Sequence, residues 1–299
     1  RGIPFEAKSY TTGMDKPAAS IDFAEEHADT VRQGYAEILP QVRAAQPKNP
    51  VFIVFFAVKE ANEDGHCAVG APTEPEAARL LAAYGGPMVP GRIARSEAEL
   101  ETALEVGGPP WVLKIVSPDI AHKTEVGGVL RGVQDPAAAR VAFRDLLGRV
   151  EAARPGARIE GVLVQPEVEG AVAELLLGTT ADAQFGPMVL VGFGGILAEV
   201  LDDTALGVAP LAEADARRML GELRGARLLQ GFRGRPPGDL AAVSRALVAL
   251  ARLAADLEDS VAEVDVNPLL VLPEGRGALA VDALVALVQA RVAPEGRAD

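Results

Sequence analysis

The sequence predicts an α/β fold built of α+β lobes, and three observations carry that expectation. From Thr73 onward, capped helical segments alternate with short apolar runs. Three such runs crowd into residues 161–192, and two more, Val261–Val266 and Ala278–Val281, follow the long helical stretch that begins at Asp239. Helices interleaved with strands, and strands gathered in blocks, are what sheets covered by helices require.

The elements follow in order. Residues 1–50 are polar, with one amphipathic helix expected from Ile21 to about Ala45, and Val51–Val58 reads as a buried strand. Lys59–Pro72, charged and carrying two glycines, reads as a linker. Thr73-Glu-Pro-Glu76 is a helix start: Thr73 caps, Pro75 lies in the first turn, and Glu76 stands three residues after the cap. Gly85-Gly86-Pro87 stops that helix. A second helix is expected from Ser96 to near Gly107, a strand at Trp111–Val116, and a helix opened by Asp135-Pro-Ala and running to about Ala153. Strands are expected at Gly161–Gln165, Ala173–Gly178 and Met188–Gly192, then helices at Glu213–Leu223 and Asp239–Leu257. The two late strands and a last helix from Asp282 complete the reading.

Composition narrows the function classes. Of 299 residues, 49% are hydrophobic and 24% charged, which fits a globular chain long enough for two domains. A net charge of −13 argues against a general binder of nucleic acid or anionic membrane, although local cations and Mg²⁺ can still meet a nucleotide phosphate. No apolar run approaches the ~18 residues of a membrane span. One cysteine, Cys67, excludes an intrachain disulfide framework and fits a cytoplasmic location. There is no signal-peptide pattern.

The stretch with most chemistry is Val112–Val129, which runs a strand into Lys114, then the pair His122-Lys123, then Gly127-Gly128. Lys114 can offer a cation to phosphate oxygens, and the diglycine lets backbone N–H groups approach an anion. His122 is a candidate phosphoryl acceptor, because neutral imidazole is nucleophilic near neutral pH, and Lys123 suits the charge it would then carry. Asn267 and Asp282 stand at the ends of the two late strands, which a turn through Pro273–Gly277 would pair, so that two hard oxygen donors face one point. Asp265, one strand repeat before Asn267, shares its face and could position an imidazole or simply a metal-bound water. Arg233, between two glycines, could pin a terminal phosphate. Glu199 follows the run Gly194-Gly195 and would join the site if those glycines pack beside phosphates.

From Thr73 to about Val292 the chain resembles the ATP-grasp portion, β-subunit type, of the nucleoside-diphosphate-forming acyl-CoA synthetases, of which ADP-forming acetate–CoA ligase is the best known. The blocks that carry the resemblance, in the family's order, are Thr73–Gly85, Val112–Val129, Phe185-Gly-Pro187 with Gly192–Glu199, Gly231–Gly234 with Asp239, and Glu263–Leu269. The resemblance implies an ATP-grasp fold whose two lobes, residues 71–165 and 166–299, clasp ATP or ADP, with residues 1–70 unassigned. It further implies Mg²⁺ on Asn267 and Asp282, an adenine hinge at Gln165, Glu167 and Val168, and a ribose contact from Glu174. The family usually shows a methionine and a compact glycine turn at the hinge, where this chain has Pro166-Glu-Val-Glu-Gly-Ala171.

The implied reaction is acid + CoA + ATP to acyl-CoA + ADP + phosphate, reversible, with His122 relaying phosphate between sites. No glycine-rich fingerprint of a CoA-binding Rossmann domain is found, so a CoA-binding α-type subunit or fused domain, in a hetero-oligomer, is the expected partner. Two other readings stand beside it: a non-catalytic regulatory ATP-binding subunit of an acetyltransferase assembly, and another ATP-grasp ligase. Lys114, His122, Asn267 and Asp282 together count against the first, and the histidine loop against the second.

Overall fold

The computed structural model describes residues 58–61, 67–69, 72–120, 122–182, 184–194 and 203–287. The helix expected at Ile21–Ala45, nearly all of the strand expected at Val51–Val58, and Glu199 lie outside them. Two short strands, β1 (Val58–Ala61) and β2 (Cys67–Val69), pair antiparallel. The segment expected to be a plain linker therefore contains an antiparallel strand pair.

Two antiparallel sheets organise the rest. The first contains β3 (Arg92–Ala94), β4 (Trp111–Val116), β5 (Val129–Val133) and β6 (Gly161–Pro166), in the order β3-β6-β4-β5. Helices α2 (Glu97–Leu104) and α3 (Pro136–Ala153) accompany it. Their apolar stripes, with Leu100, Phe143 and Leu146, meet Leu113, Ile115, Val162 and Val164 in one core. Asp135 starts α3 where the sequence places it, its carboxylate accepting from the Ala138 N–H at 2.8 Å.

The second sheet is larger. It contains β7 (Ala173–Asp182), β8 (Gly186–Phe193), β9 (Thr204–Val208), β10 (Val261–Val271) and β11 (Ala278–Ala280), in the order β11-β10-β7-β8-β9, with β12 (Ala283–Leu287) also on β10. Helices α4 (Glu213–Glu222), α5 (Ala226–Leu229) and α6 (Leu240–Asp256) supply the other side of its core, in which Met219, Leu247 and Leu250 pack with Leu175, Leu177, Val189, Val191, Val264 and Val266.

Helix α1 (Glu74–Ala83) precedes the first sheet in sequence, yet Ala77, Leu80 and Leu81 belong to the second core. Its start is as expected: the Glu76 carboxylate accepts from the Thr73 backbone N–H at 2.8 Å and from its hydroxyl at 2.7 Å. The chain then runs along β11, with the Val89 N–H on the Ala280 carbonyl at 2.9 Å, before entering the first sheet. This places the N-terminus of α1 where the two sheets meet.

One element differs in kind from expectation. Asp282 opens no helix; it leads into β12, which pairs antiparallel with β10 from Val266↔Ala283 to Val261↔Leu287. Ala283-Leu-Val-Ala-Leu287 is rich in helix formers, but an open edge of β10 decides, with Ala283 and Val285 buried against the core.

Candidate active site

The Val112–Val129 block forms β4, a loop and β5, with the loop fixed at both ends. On the entry side, Ile120 is buried, Asp119 Oδ2 accepts from the Arg158 N–H at 2.8 Å, and the Asp119 N–H reaches the Ser117 hydroxyl at 3.1 Å. His122 then stands exposed, ahead of a single 3₁₀ turn, Lys123–Val126. On the exit side the diglycine closes the turn. Gly127 takes φ +67° and donates to the Thr124 carbonyl at 3.1 Å, while Gly128 donates to Lys123 at 2.7 Å. A Cβ on Gly128 would lie 2.8 Å from the Ile115 side chain. Both glycine N–H groups are thus engaged within the loop, and close packing, rather than an open anion nest, is what demands glycine here.

Lys114 is buried and does not project into solvent. Its ammonium pairs with Glu74 Oε1 at 2.7 Å and donates to the Val281 carbonyl, which joins the first sheet to the second. Lys123 lies 2.9 Å from Glu74 Oε2 and 3.2 Å from Asp282 Oδ1. Glu74, Lys114, Lys123 and Asp282 therefore form one alternating charge cluster at the meeting of the sheets. Burial raises the Glu74 carboxyl above its ordinary range, and Lys114 and Lys123 oppose that shift. Burial also pulls on the Lys123 ammonium, but Glu74 and Asp282 outweigh it and hold Lys123 charged to higher pH.

The metal candidates meet by register. Val266 pairs with Ala283 and Leu269 with Ala280, so Asn267-Pro268 is bracketed against Val281-Asp282, and the Val281 N–H reaches the Pro268 carbonyl at 3.2 Å. Glu263, Asp265 and Asn267 alternate with buried Val264 and Val266, so all three share the face away from the core, as the strand repeat requires. Asp265 faces a mixed field: burial, Glu263 and Asp282 raise its carboxyl above the ordinary range, and His122 draws it down. His122 and Asp282 therefore each stand within electrostatic reach of Asp265. Asp265 Oδ1 is buried with no hydrogen-bond partner among the described residues, an acceptor left for something else.

Other expected residues lie elsewhere on the frame. Gln165 is buried on β6 opposite Val112. Glu167 turns back to the first sheet, where it accepts from the Gly132 N–H at 2.8 Å and from Arg131 Nε at 3.0 Å. Val168 follows it, partly buried, and Glu174 is exposed on β7 opposite Leu270. Arg233 occupies a turn at φ +51°, its guanidinium 5.3 Å above the Phe232 ring, with no described contact to the charge cluster. Asp239 is structural: it caps α6 through the Ala242 N–H at 2.9 Å and ties down the 273–277 turn through Gly277 at 3.0 Å. Sequence reasoning missed Glu74, because an acidic residue in the first turn of a helix is ordinary and only the fold brings Lys114 and Lys123 to it.

Residues 65–287 match the family model described as an ATP-grasp domain. Acetate–CoA ligase [ADP-forming] I of Archaeoglobus fulgidus is 40% identical over 218 residues, which are 73% of this chain and 31% of that protein. The chain thus spans about a third of that longer relative. The β subunit of acetate–CoA ligase [ADP-forming] II of Pyrococcus furiosus is 35% identical over 230 residues, 77% of this chain and 96% of that one. The dinucleotide forming acetyl-coenzyme A synthetase 1 of Ca. Korarchaeum cryptofilum, in complex with coenzyme A, Ca-AMPCP and HgCl⁺, superposes with a TM-score of 0.70 at 38% identity, over 76% of this chain and 96% of that one. A second structure of that enzyme, with coenzyme A and Mg-AMPPCP and its phosphohistidine segment pointing towards the nucleotide binding site, gives 0.62 at 33% identity over the same shares. The chain belongs to the ATP-grasp family, in the branch that includes the β subunits of ADP-forming acetate–CoA ligases. No helix among the described residues is long and apolar enough to cross a membrane.

Proposed function

We propose that this chain is the nucleotide-binding, phosphoryl-relaying part of a cytoplasmic ADP-forming acyl-CoA synthetase, converting acid, CoA and ATP to acyl-CoA, ADP and phosphate, and the reverse. The observation that carries the reading is the ion-pair cluster that Lys114 and Lys123 make with Glu74 and Asp282 where the two sheets adjoin, with His122 directly ahead of Lys123. Residues 71–165 and 166–299 are the two lobes, with α1 handed across to the second core, and ATP or ADP lies between them. Gln165, Glu167 and Val168 border the adenine, Glu174 the ribose, and Lys114 and Lys123 the phosphates.

The donor set fits Mg²⁺. Asn267 and Asp282 offer hard oxygens, Asp265 carries a buried oxygen without a partner, and Mg²⁺ commonly takes one or two protein oxygens and leaves the rest to water and phosphate. Asn267 and Asp282 would hold it, and its charge would offset that of the triphosphate. In the ATP-consuming direction, an unprotonated His122 ring nitrogen attacks the γ-phosphorus. An N–P bond forms, the bond from the γ-phosphorus to the β,γ-bridging oxygen breaks, and ADP leaves with that electron pair. Asp265 orients the ring and balances charge on it, while Lys123 faces the transferred oxyanion.

A CoA-binding α-type subunit or domain supplies the acyl half; that one relative is named as a β subunit, and that another is about three times as long as the matched region, support a partner of this kind. Mixing this chain with such a subunit, acyl-CoA, phosphate and Mg·ADP should yield ATP and free CoA, and this chain without the subunit should yield neither. Equal turnover without the subunit would refute the division of labour.

A further inference from the structure

We propose that Glu74 is a positioning residue for the phosphoryl relay: by dividing one buried carboxylate between Lys114 and Lys123, it sets where Lys123, and the His122 loop with it, stands relative to Asp282. The inference rests on the relay reading above. Helix α1 does not need this side chain for its start, because Thr73 and Glu76 already cap it. Glu74 is instead 2% exposed, and burying a carboxylate is costly unless opposite charge meets it. One lysine would suffice for that. Lys114, itself 7% exposed and rigidly placed mid-strand, already lies 2.7 Å away.

The second lysine is the informative one. Lys123 comes from the loop rather than from the sheet, and it is shared with Asp282, a proposed metal ligand. Glu74 Oε2 has no aligned hydrogen bond although the Lys123 ammonium is 2.9 Å away, so charge more than direction holds that contact. Glu74, Lys114, Lys123 and Asp282 balance as two cations and two anions. Without the Glu74 charge, Lys114 keeps only the Val281 carbonyl and Lys123 keeps only Asp282, so Lys123 loses the contact that fixes it to α1. His122 precedes Lys123 and would shift with it.

The test compares Glu74→Gln with wild type in two readouts on the chain as it exists. Hydrogen exchange should quicken by at least about tenfold in the peptide spanning residues 122–128, while α1 and α6 stay as protected as before. Phosphoryl transfer from Mg·[γ-³²P]ATP to His122 should slow by at least about tenfold, while Mg·ADP affinity changes less than about threefold. Unchanged exchange in residues 122–128, or faster exchange spread evenly over the second core, overturns the proposal and leaves Glu74 a packing residue. If Glu74→Gln fails to fold, Glu74→Asp decides, since it keeps the charge but is one methylene too short to hold both lysines; the same localised loosening and slower transfer are expected. Wild-type protein that takes no label on His122 sinks the relay reading, and the exchange result then decides whether Glu74 places the loop.

Discussion

Asp265, like Glu74, is a carboxylate whose surroundings in the folded chain disfavour its charged form. Burial, Glu263 and Asp282 all raise its proton affinity, against the opposing pull of His122. A raised carboxyl favours the folded state at low pH, and that benefit is lost as pH climbs from the ordinary aspartate range through the raised value. Asp265→Asn should therefore melt higher than wild type at neutral pH, with the gap closing on acidification to about pH 4, while transfer to His122 slows. A melting difference independent of pH would contradict this assignment. Residues of this kind were legible because their chemistry lies in local sequence: His122 beside Lys123, and Asp265 two residues before Asn267. Glu74 was not, since its partners are 40 and more residues away and its own neighbourhood reads as an ordinary helix start.

At the level of elements, most of the fold could be read from caps and periodicity. The helix over Pro136–Ala153 and the strand over Trp111–Val116 fall where the sequence puts them, because Asp-Pro and a continuous apolar run are local signals. β12 could not be read that way. Its state depends on β10 offering an edge, which no window of residues 283–287 reveals. The site leans on another such long-range tie, the Asp239 side chain, whose backbone hydrogen bonds from Ala242 lead in holding its carboxyl below the ordinary range. Asp239→Ala removes the cap of α6 and the anchor of the 273–277 turn, which lies between Asn267 and Asp282. A loss of about 1–3 kcal/mol in denaturant unfolding is expected, combining a cap with a buried hydrogen bond. An unchanged unfolding midpoint would show that the turn holds itself.

For the molecule as a whole, the described charges join two sheets: Lys114 from the first and Lys123 from the loop between two of its strands reach Glu74, Val281 and Asp282, which are tied to the second. A nucleotide between the lobes would meet cations from one and oxygen donors from the other. The double change Asn267→Ala, Asp282→Ala should weaken Mg·ADP binding by at least about tenfold in calorimetry, or ~1.4 kcal/mol. Equal affinity would remove the metal from those two residues. The proposed relay across this junction is tested most directly by incubating the chain with Mg·[γ-³²P]ATP and mapping the label. Wild type should carry an acid-labile, base-stable phosphoryl group on the peptide containing His122, and His122→Asn should carry none while binding Mg·ADP as before. Label retained in His122→Asn, or a wild-type label on some other residue, would contradict the account.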